Sequence, residues 1–471
     1  MSHGTPIPRF RHPHLLRELR CHPTRVFLRV METCGPIAQV SFGLKRLYIL
    51  TDPELAYHVL RYEPCFPRPW SQVERAITAL MGARVVTSFN GPLHHRRRQA
   101  LVPAFTQTRV RSYAPTMVKY ARAMCASWKD QQVLDLCEEL TRLTLSIAFQ
   151  VFLSTELLDE DLDVVAVTSA YADYLADRAT RLWWVPFWLP TPLNLSARRA
   201  RRALTRQVSR VVEQRLTSGA ARDDVLDLVL AAHRKGVFDQ QQVVAELVNL
   251  LTSFLPSTAS IQATLVELLT EPGQVTYQRL LREAEQFTLD HPYTEQDHQH
   301  LASFRAAYQE VQRERPFVPA LLRKARGPQT LPGDYDIPAR SLVLVAIHAL
   351  HHRAEAFSDP DTFCPERFVA AAPASPPQGG YLAFGAGVHT CLGNHYSELL
   401  GPLVLATLCR LVRFEVAPDQ GPVPPEVLGS VLQRHPFKVQ VQHRGLPGAA
   451  EGKPFVQTES LVSARKRGIY A

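Results

Sequence analysis

The spacing of apolar positions changes along the chain. Residues 35–52 (GPIAQVSFGLKRLYILTD) hold two short β-branched and aromatic runs on either side of Gly43-Leu44-Lys45, the pattern of a β-hairpin. Asp52-Pro53 then opens a helix, because aspartate accepts from the first free amides and proline tolerates the first turn. From about 97 to 310 the repeat is helical, and the segments 112–128, 135–155, 197–217, 222–233 and 240–270 predict long helices. Pro-rich breaks punctuate them, most clearly WWVPFWLPTPLN at 183–194. Alternation returns late, in SLVLVAI at 341–347, FEVA at 414–417 and FKVQVQ at 437–442. The expected fold is mainly α with small β-sheets. One large domain is expected at 35–443, after an N-terminal extension at 1–34. A basic tail at 444–471 lacks apolar periodicity and reads as poorly ordered.

With 46% hydrophobic and 21% charged residues among 471, the composition is that of a globular protein. A net charge of +9 favours acidic partners, either nucleic acid or an acidic electron carrier, and composition does not separate the two. The cysteines Cys21, Cys34, Cys65, Cys125, Cys137, Cys364, Cys391 and Cys409 are scattered without a C-x-x-C pair. That excludes a zinc ribbon or a small disulfide scaffold and fits a reducing compartment. The first twenty residues, MSHGTPIPRFRHPHLLRELR, hold no apolar run of signal or anchor length. A soluble cytoplasmic protein without a membrane anchor is the expectation.

Residues 384–393 read Phe-Gly-Ala-Gly-Val-His-Thr-Cys-Leu-Gly. A lone cysteine is most often a small buried hydrophobe, and no Lys-Ser/Thr follows to make a phosphate loop. The arrangement carries more than its parts. Gly385 and Gly387 let the backbone pass close to a flat ligand. Cys391 stands just ahead of the helical run GNHYSELLGPLVLATLCRLV, whose N-terminus favours a thiolate. Nearby backbone amides can donate to the sulfur and tune it.

This segment resembles the heme loop of the cytochrome P450 family, Phe-x-x-Gly-x-x-x-Cys-x-Gly, with Phe384, Gly387, Cys391 and Gly393 at every fixed position. The resemblance extends over roughly 35–443. It implies heme b (iron protoporphyrin IX) as cofactor, with Cys391 as the iron ligand. Glu310-Val311-Gln312-Arg313, followed by Pro316 and Pro319, is similar to the family's Glu-x-x-Arg. Asp361-Thr362-Phe363-Cys364-Pro365-Glu366-Arg367-Phe368 is similar to its Pro-Glu-Arg-Phe stretch. By resemblance Glu310, Arg313 and Arg367 form a buried triad that holds the proximal loop, although a solitary Glu-x-x-Arg is usually a solvated helix pair. His94 and Arg98, four apart within HHRRR, share a helix face and resemble the family's propionate contacts. Arg323, ten residues before Gly333, and His389, two before the cysteine, complete that set. Cationic donors suit propionate carboxylates; alone, the 94–98 run would read as a solvated face or a nucleic-acid patch.

The distal helix departs from the family. Its usual Ala/Gly-Gly-x-Asp/Glu-Thr falls on Ser253, Phe254, Leu255, Pro256 and Ser257, with Thr258 next. Pro256 carries no proton and should kink or open the helix. Phe254 is expected where a small residue makes room for oxygen, and Ser257 and Thr258 are the candidate catalytic hydroxyls. Trp70, Met81, Trp183, Trp184, Phe187 and Phe254 make either an apolar aromatic pocket or core.

The leading expectation is a monooxygenase of the soluble bacterial type, acting in biosynthesis on a small organic molecule. Its electrons would come from a separate ferredoxin and ferredoxin reductase, since no flavin or iron–sulfur segment is present. The chain is expected to be a monomer without a nucleic-acid partner. Pro256 and Phe254 motivate an alternative, a peroxygenase, isomerase or dehydratase. Against the fatty-acid peroxygenases, Leu255 stands where they carry arginine. A non-catalytic helper is the third reading, and the retained Cys391 opposes it.

Overall fold

The hairpin forms where the alternation places it. Strands β1 (Ile37–Phe42) and β2 (Lys45–Leu50) pair antiparallel, with Ile37 opposite Leu50. Asp52 Oδ1 then accepts from the amides of Glu54 and Leu55 at 3.0 and 3.1 Å, capping the helix Pro53–Arg61. This is a computed structural model, and it describes residues 5–42, 45–156, 163–180, 185–287, 291, 293–369, 378–421 and 436–445.

The remaining described strands are β3 (Val133–Asp135), β4 (Leu321–Lys324), β5 (Gln329–Leu331), β6 (Tyr335–Ile337), β7 (Leu342–Val345), β8 (Val412–Val416) and β9 (Lys438–His443). They form a sheet in the order β1-β2-β7-β4, a second in the order β3-β9-β8, and the β5-β6 pair. In the larger sheet β7 runs parallel to β2, with Val345 beside Leu50, and β4 closes it antiparallel. The late alternating runs became β7, β8 and β9. Strands β3 to β6, three or four residues each, are too short for periodicity to mark them.

Most of the chain is helical. The helices Ala114–Ser127, Leu136–Leu153, Pro192–Ser218 and Val225–Arg234 lie within a few residues of their expected limits. The 240–270 segment is instead two helices, Gln240–Thr252 and Leu255–Thr270, separated by Ser253 and Phe254. The break has the expected cause: Pro256 lacks the N–H that would donate to the Thr252 carbonyl. By length and composition this span could cross a membrane, but most of it is buried inside the protein.

The N-terminal residues differ from expectation. Residues 5–34, read as part of an extension, pack onto the β1–β2 sheet. Phe10 donates its amide to the Gln39 carbonyl at 3.0 Å, and Gln39 returns a bond to Pro8 at 2.8 Å. The helix Pro23–Cys34 places Val26, Phe27 and Val30 in one cluster with Ala38, Val40, Leu47 and Ile49. Its apolar residues at i, i+1 and i+4 form a face that the sheet and the helix Ile347–His351 cover. Residues 446–471, nearly all of the expected tail, lie outside the described residues.

The largest core joins the helices Leu136–Leu153, Leu255–Thr270 and Asn394–Leu411 through residues such as Phe149, Leu265 and Val404. The last of these begins three residues after Cys391, so its seating fixes the loop. Gly401 sits against the Tyr308 ring so closely that a Cβ there would lie 2.5 Å from it. Gly401→Ala is therefore expected to cost about 1–3 kcal/mol by overpacking, seen as a lowered thermal unfolding midpoint. An unchanged midpoint would show that Tyr308 yields freely and that the helix is not seated by this contact.

Candidate active site

The loop carrying Cys391 is built on two left-handed glycines. Gly385 has φ +70° and Gly387 φ +73°, a region costly for other residues. A Cβ on Gly387 would stand 2.3 Å from the Leu60 carbonyl oxygen, and one on Gly385 3.4 Å from Leu321 Cδ1. The close approach that demands glycine at 387 within the protein is to the helix Pro53–Arg61. The amide and hydroxyl of Thr390 donate to the Gly387 carbonyl at 3.0 and 2.7 Å, and the Cys391 amide donates to the Phe384 carbonyl at 2.9 Å.

Cys391 has an accessible side chain, yet enough protein surrounds it that burial raises the thiol pKa. The two together put the sulfur on the wall of a hollow. The Gly393 amide, which donates to the sulfur, and the charge of Arg98 pull the other way and favour the thiolate. Gly393 begins the helix Asn394–Leu411, and the space over its Cα is open.

Behind the loop lies the predicted triad. Arg313 grips Glu310 with two bonds of 2.8 and 2.9 Å, and both side chains are fully buried. Arg367 Nε adds a bond of 3.1 Å and the Cys364 amide one of 2.9 Å, both to Glu310 Oε1. Arg367 also reaches the carbonyls of Ser358, Asp359 and Thr362. The sequence reading missed the residue that connects this triad to the loop. His351 Nδ1 donates to the Arg313 carbonyl at 3.0 Å, Arg313 Nη1 donates to the His351 carbonyl at 2.8 Å, and His351 Nε2 accepts the Leu382 amide at 2.8 Å. Burial pushes its pKa down to about 3, so the imidazole is neutral and its tautomer is set by these two partners. HALHHR gives no spacing that singles out one of its histidines.

The four expected propionate contacts come together. The rings of His94 and His389 lie 4.2 Å apart, and Arg98 and Arg323 are close enough to depress the His389 pKa. Arg68, not singled out from the sequence, joins them. Its amide donates to Asn90 Oδ1 at 3.1 Å, its carbonyl accepts from Asn90 Nδ2 at 3.0 Å, and its Nη1 donates to the Thr87 carbonyl at 2.7 Å. Burial and like charges push His389 down to about 2, His94 to about 4 and Arg323 to about 10. Among the described residues, no carboxylate forms an ion pair with Arg68, Arg98 or Arg323. Arg323 Nε and both ring nitrogens of His389 are buried without a hydrogen-bond partner. Orphaned buried donors around an accessible thiol fit a flat ligand bearing carboxylates, as heme b does.

The distal side differs from the sequence reading. The Phe254 ring packs into the core, 5.0 Å from Phe152 and 4.7 Å from Tyr396. Ser257 donates to Ser397 Oγ at 3.0 Å, and Ser397 in turn meets Tyr308 OH at 2.9 Å. Thr258 pairs with Thr144 at 2.6 Å and with its own helix at the Phe254 carbonyl. Both hydroxyls are buried and engaged with neighbouring helices. Ser253 is exposed and Pro256 half-buried; at about 100° per residue, Pro256 faces nearly opposite to Phe254 and Thr258. Ser253 Oγ donates to the Asn249 carbonyl at 2.6 Å and keeps its lone pairs free to accept.

Of the expected pocket residues, Trp70 is exposed beneath Arg84, Met81 lies in the core, and Phe187 packs on Tyr174. Trp183 and Trp184 lie outside the described residues. Glu246, two turns before Ser253, was not anticipated. It is fully buried, accepts the Val86 amide at 2.6 Å, and has its pKa pushed up to about 8 by burial.

Comparison with known proteins agrees with this geometry. A family model described as Cytochrome P450 matches residues 1–441. A cyclooctat-9-en-7-ol 5-monooxygenase of Streptomyces melanosporofaciens is 27% identical over 401 residues, 83% of this chain and 85% of the relative. Cyclooctatin synthase of the same organism is 25% identical over 402 residues, with 83% and 86% covered. Pentalenene oxygenase of Streptomyces avermitilis is 23% identical over 421 residues, with 88% and 92% covered.

Two measurements test the site. Arg68→Met should speed transfer of heme to an acceptor protein by roughly tenfold or more, the worth of one charge-assisted hydrogen bond; retention equal to the parent removes Arg68 from the set. The folded pKa of His351, about 3, lies below its ordinary 6.5. Between those values the unfolded chain binds a proton that the folded chain does not. The stability contributed by His351 is therefore complete above that window and is lost as pH falls through it. His351→Gln should be less stable than the parent at about pH 7.5, with the gap in unfolding midpoint narrowing toward about pH 5. A gap independent of pH would refute the assignment of a neutral, buried His351.

Proposed function

The chain belongs to the cytochrome P450 family as a heme-thiolate monooxygenase, and we propose that its substrate is a cyclic terpenoid and its electrons come from ferredoxin through a ferredoxin reductase. The observation that carries this reading is the accessible Cys391 thiol beside three arginines that have no ion-pair partner among the described residues. Bound there, with Cys391 as its ligand, heme b supplies the activation of dioxygen.

The chain's own residues do the rest. Arg68, Arg98 and Arg323, with His94 and His389, hold the two carboxylates. The Gly393 amide and the charge of Arg98 favour the Cys391 thiolate against the burial that raises its pKa. Glu310, Arg313 and His351 fix the loop through Leu382. On the distal helix, Ser253 is the hydroxyl open to water or substrate, beside the Thr252 carbonyl that Pro256 cannot satisfy within the helix. Ser257 and Thr258 keep the helices packed and are positioning residues in this reading.

Two relatives are named for oxidising cyclooctat-9-en-7-ol and pentalenene, and they support a substrate of that kind. The net charge of +9 complements an acidic ferredoxin.

The purified holoenzyme should convert pentalenene or cyclooctat-9-en-7-ol only with dioxygen, ferredoxin, its reductase and a nicotinamide donor. Equal turnover with hydrogen peroxide alone would replace this reading by a peroxygenase. Ser253→Ala should raise the fraction of electrons lost as hydrogen peroxide by roughly threefold or more, whereas Ser257→Ala should change it less than about twofold. The reverse ranking would return the proton-handling role to Ser257.

A further inference from the structure

Between the buried Glu246 and the break at Ser253, the distal helix holds a polar side chain that neither the fold nor the heme site uses. Asn249 is only 8% exposed, and its carboxamide has no hydrogen-bond partner among the described residues. The polar groups around it are occupied. Glu246 is fully enclosed against the Val86 amide. Thr252 Oγ1 donates to the Val248 and Asn249 carbonyls at 2.9 and 3.2 Å, and Ser253 Oγ donates to the Asn249 carbonyl at 2.6 Å. Asn249 thus gives its backbone to the last turn of the helix and keeps its side chain unpaired.

The direction of that side chain follows from the helix. Buried residues run without a gap from Ala245 to Leu251, so no side of this turn meets bulk water. Asn249 lies four residues before the exposed Ser253, about 40° from it around the axis and about 6 Å along it. What exposure Asn249 retains therefore opens on the hollow that Ser253 faces. A carboxamide brings two N–H donors and an acceptor oxygen, and leaving them unmet in an apolar site is costly. A hydrocarbon would meet none of them, and a ketone would meet the donors alone. A hydroxyl gives and takes a bond at once. Because a carboxamide neither binds nor releases protons near neutral pH, Asn249 is no replacement for the acid usual on this helix.

Taking the terpenoid reading as given, we infer that Asn249 binds a hydroxyl already present on the substrate, so that the enzyme takes a cyclic terpenoid alcohol in preference to the parent hydrocarbon. The hydroxyl-bearing end of the molecule is then held one helical turn from Ser253. The preceding reaction must have installed that oxygen, either as a cyclisation that ends by capturing water or as an earlier hydroxylation.

The test is calorimetric titration of the holoenzyme with two matched pairs. One is cyclooctat-9-en-7-ol and the hydrocarbon lacking its hydroxyl; the other is a monohydroxylated pentalenene and pentalenene itself. In at least one pair the alcohol should bind roughly tenfold or more tighter than its hydrocarbon. Asn249→Leu, close in volume and apolar, should weaken that alcohol by roughly tenfold and leave its hydrocarbon within about twofold of the parent. It should also spread oxidation of the alcohol over more than one carbon. An unaltered carbon monoxide difference spectrum shows that the variant is folded, and the ranking within each pair by the parent enzyme tests the assignment without any variant. Equal binding of alcohol and hydrocarbon in both pairs, or a preference for the alcohol that Asn249→Leu retains, overturns the role of Asn249 and leaves the terpenoid reading standing. Failure of all four compounds to bind overturns the terpenoid reading and this role together.

Discussion

One buried ion pair holds the chemistry in place. Glu310 and Arg313 are both fully inaccessible, and burying two charges is costly unless every donor and acceptor is met. Here they are met to an unusual degree. Glu310 takes two bonds from Arg313, one from Arg367 and one from the Cys364 amide, and Arg313 spends its third nitrogen on the His351 carbonyl. The network is therefore a specifier more than a source of net stability: shifting any member leaves a charge unpaired. His351 passes that rigidity to Leu382, two residues before Phe384, and the Phe384 carbonyl receives the Cys391 amide. Hydrogen bonds and two residues of intervening chain thus join the triad to the backbone of Cys391.

The cluster beside the sulfur works by the opposite logic. Its members repel one another, and that repulsion selects what the site binds. With His94 near 4 and His389 near 2, both imidazoles are neutral at physiological pH on this chain's own charges. Three arginines carry the positive charge, and the histidines offer N–H groups. Three guanidinium groups facing two carboxylates leave an excess of positive charge next to a cysteine that must be anionic. The field of Arg98 that draws in the carboxylates also favours the thiolate, against the burial that raises its pKa.

The two halves of the site differed in how far sequence revealed them. Phe384, Gly387, Cys391 and Gly393 lie within ten residues, so their spacing alone encodes a loop, and Glu310 and Arg313 are one helical turn apart. Such local patterns survive reading in one dimension. Arg68 and His351 do not, because each acquires its meaning from partners at a distance: Thr87 and Asn90 for the first, Arg313 and Leu382 for the second. The amphipathic spacing of Pro23–Cys34 was present to be read, but only the sheet it covers shows why that helix belongs to the same body. On the distal helix the index of each residue was correct while its direction was not. An alignment without gaps fixes position along a helix; it does not fix rotation after a break.

That rotation follows from how the break is stabilised. Proline within a helix costs about 3 kcal/mol or more, so Pro256 persists only if the opened turn recovers comparable energy. Phe254 provides much of it: burying a phenylalanine is worth about 1.5–3 kcal/mol, and its contacts with Phe152 and Tyr396 add about 0.5–1.5 kcal/mol each. The Ser253 amide keeps its ordinary helical bond to the Asn249 carbonyl, which also accepts the hydroxyls of Ser253 and Thr252. Drawing Phe254 into the core turns Ser253 outward, because residues adjacent in sequence point about 100° apart. The acid–alcohol pair usual at this place is therefore not simply missing. The substitutions at 254 and 256 act together, one opening the helix and the other anchoring the opened form, and between them they move the accessible hydroxyl one turn toward the N-terminus.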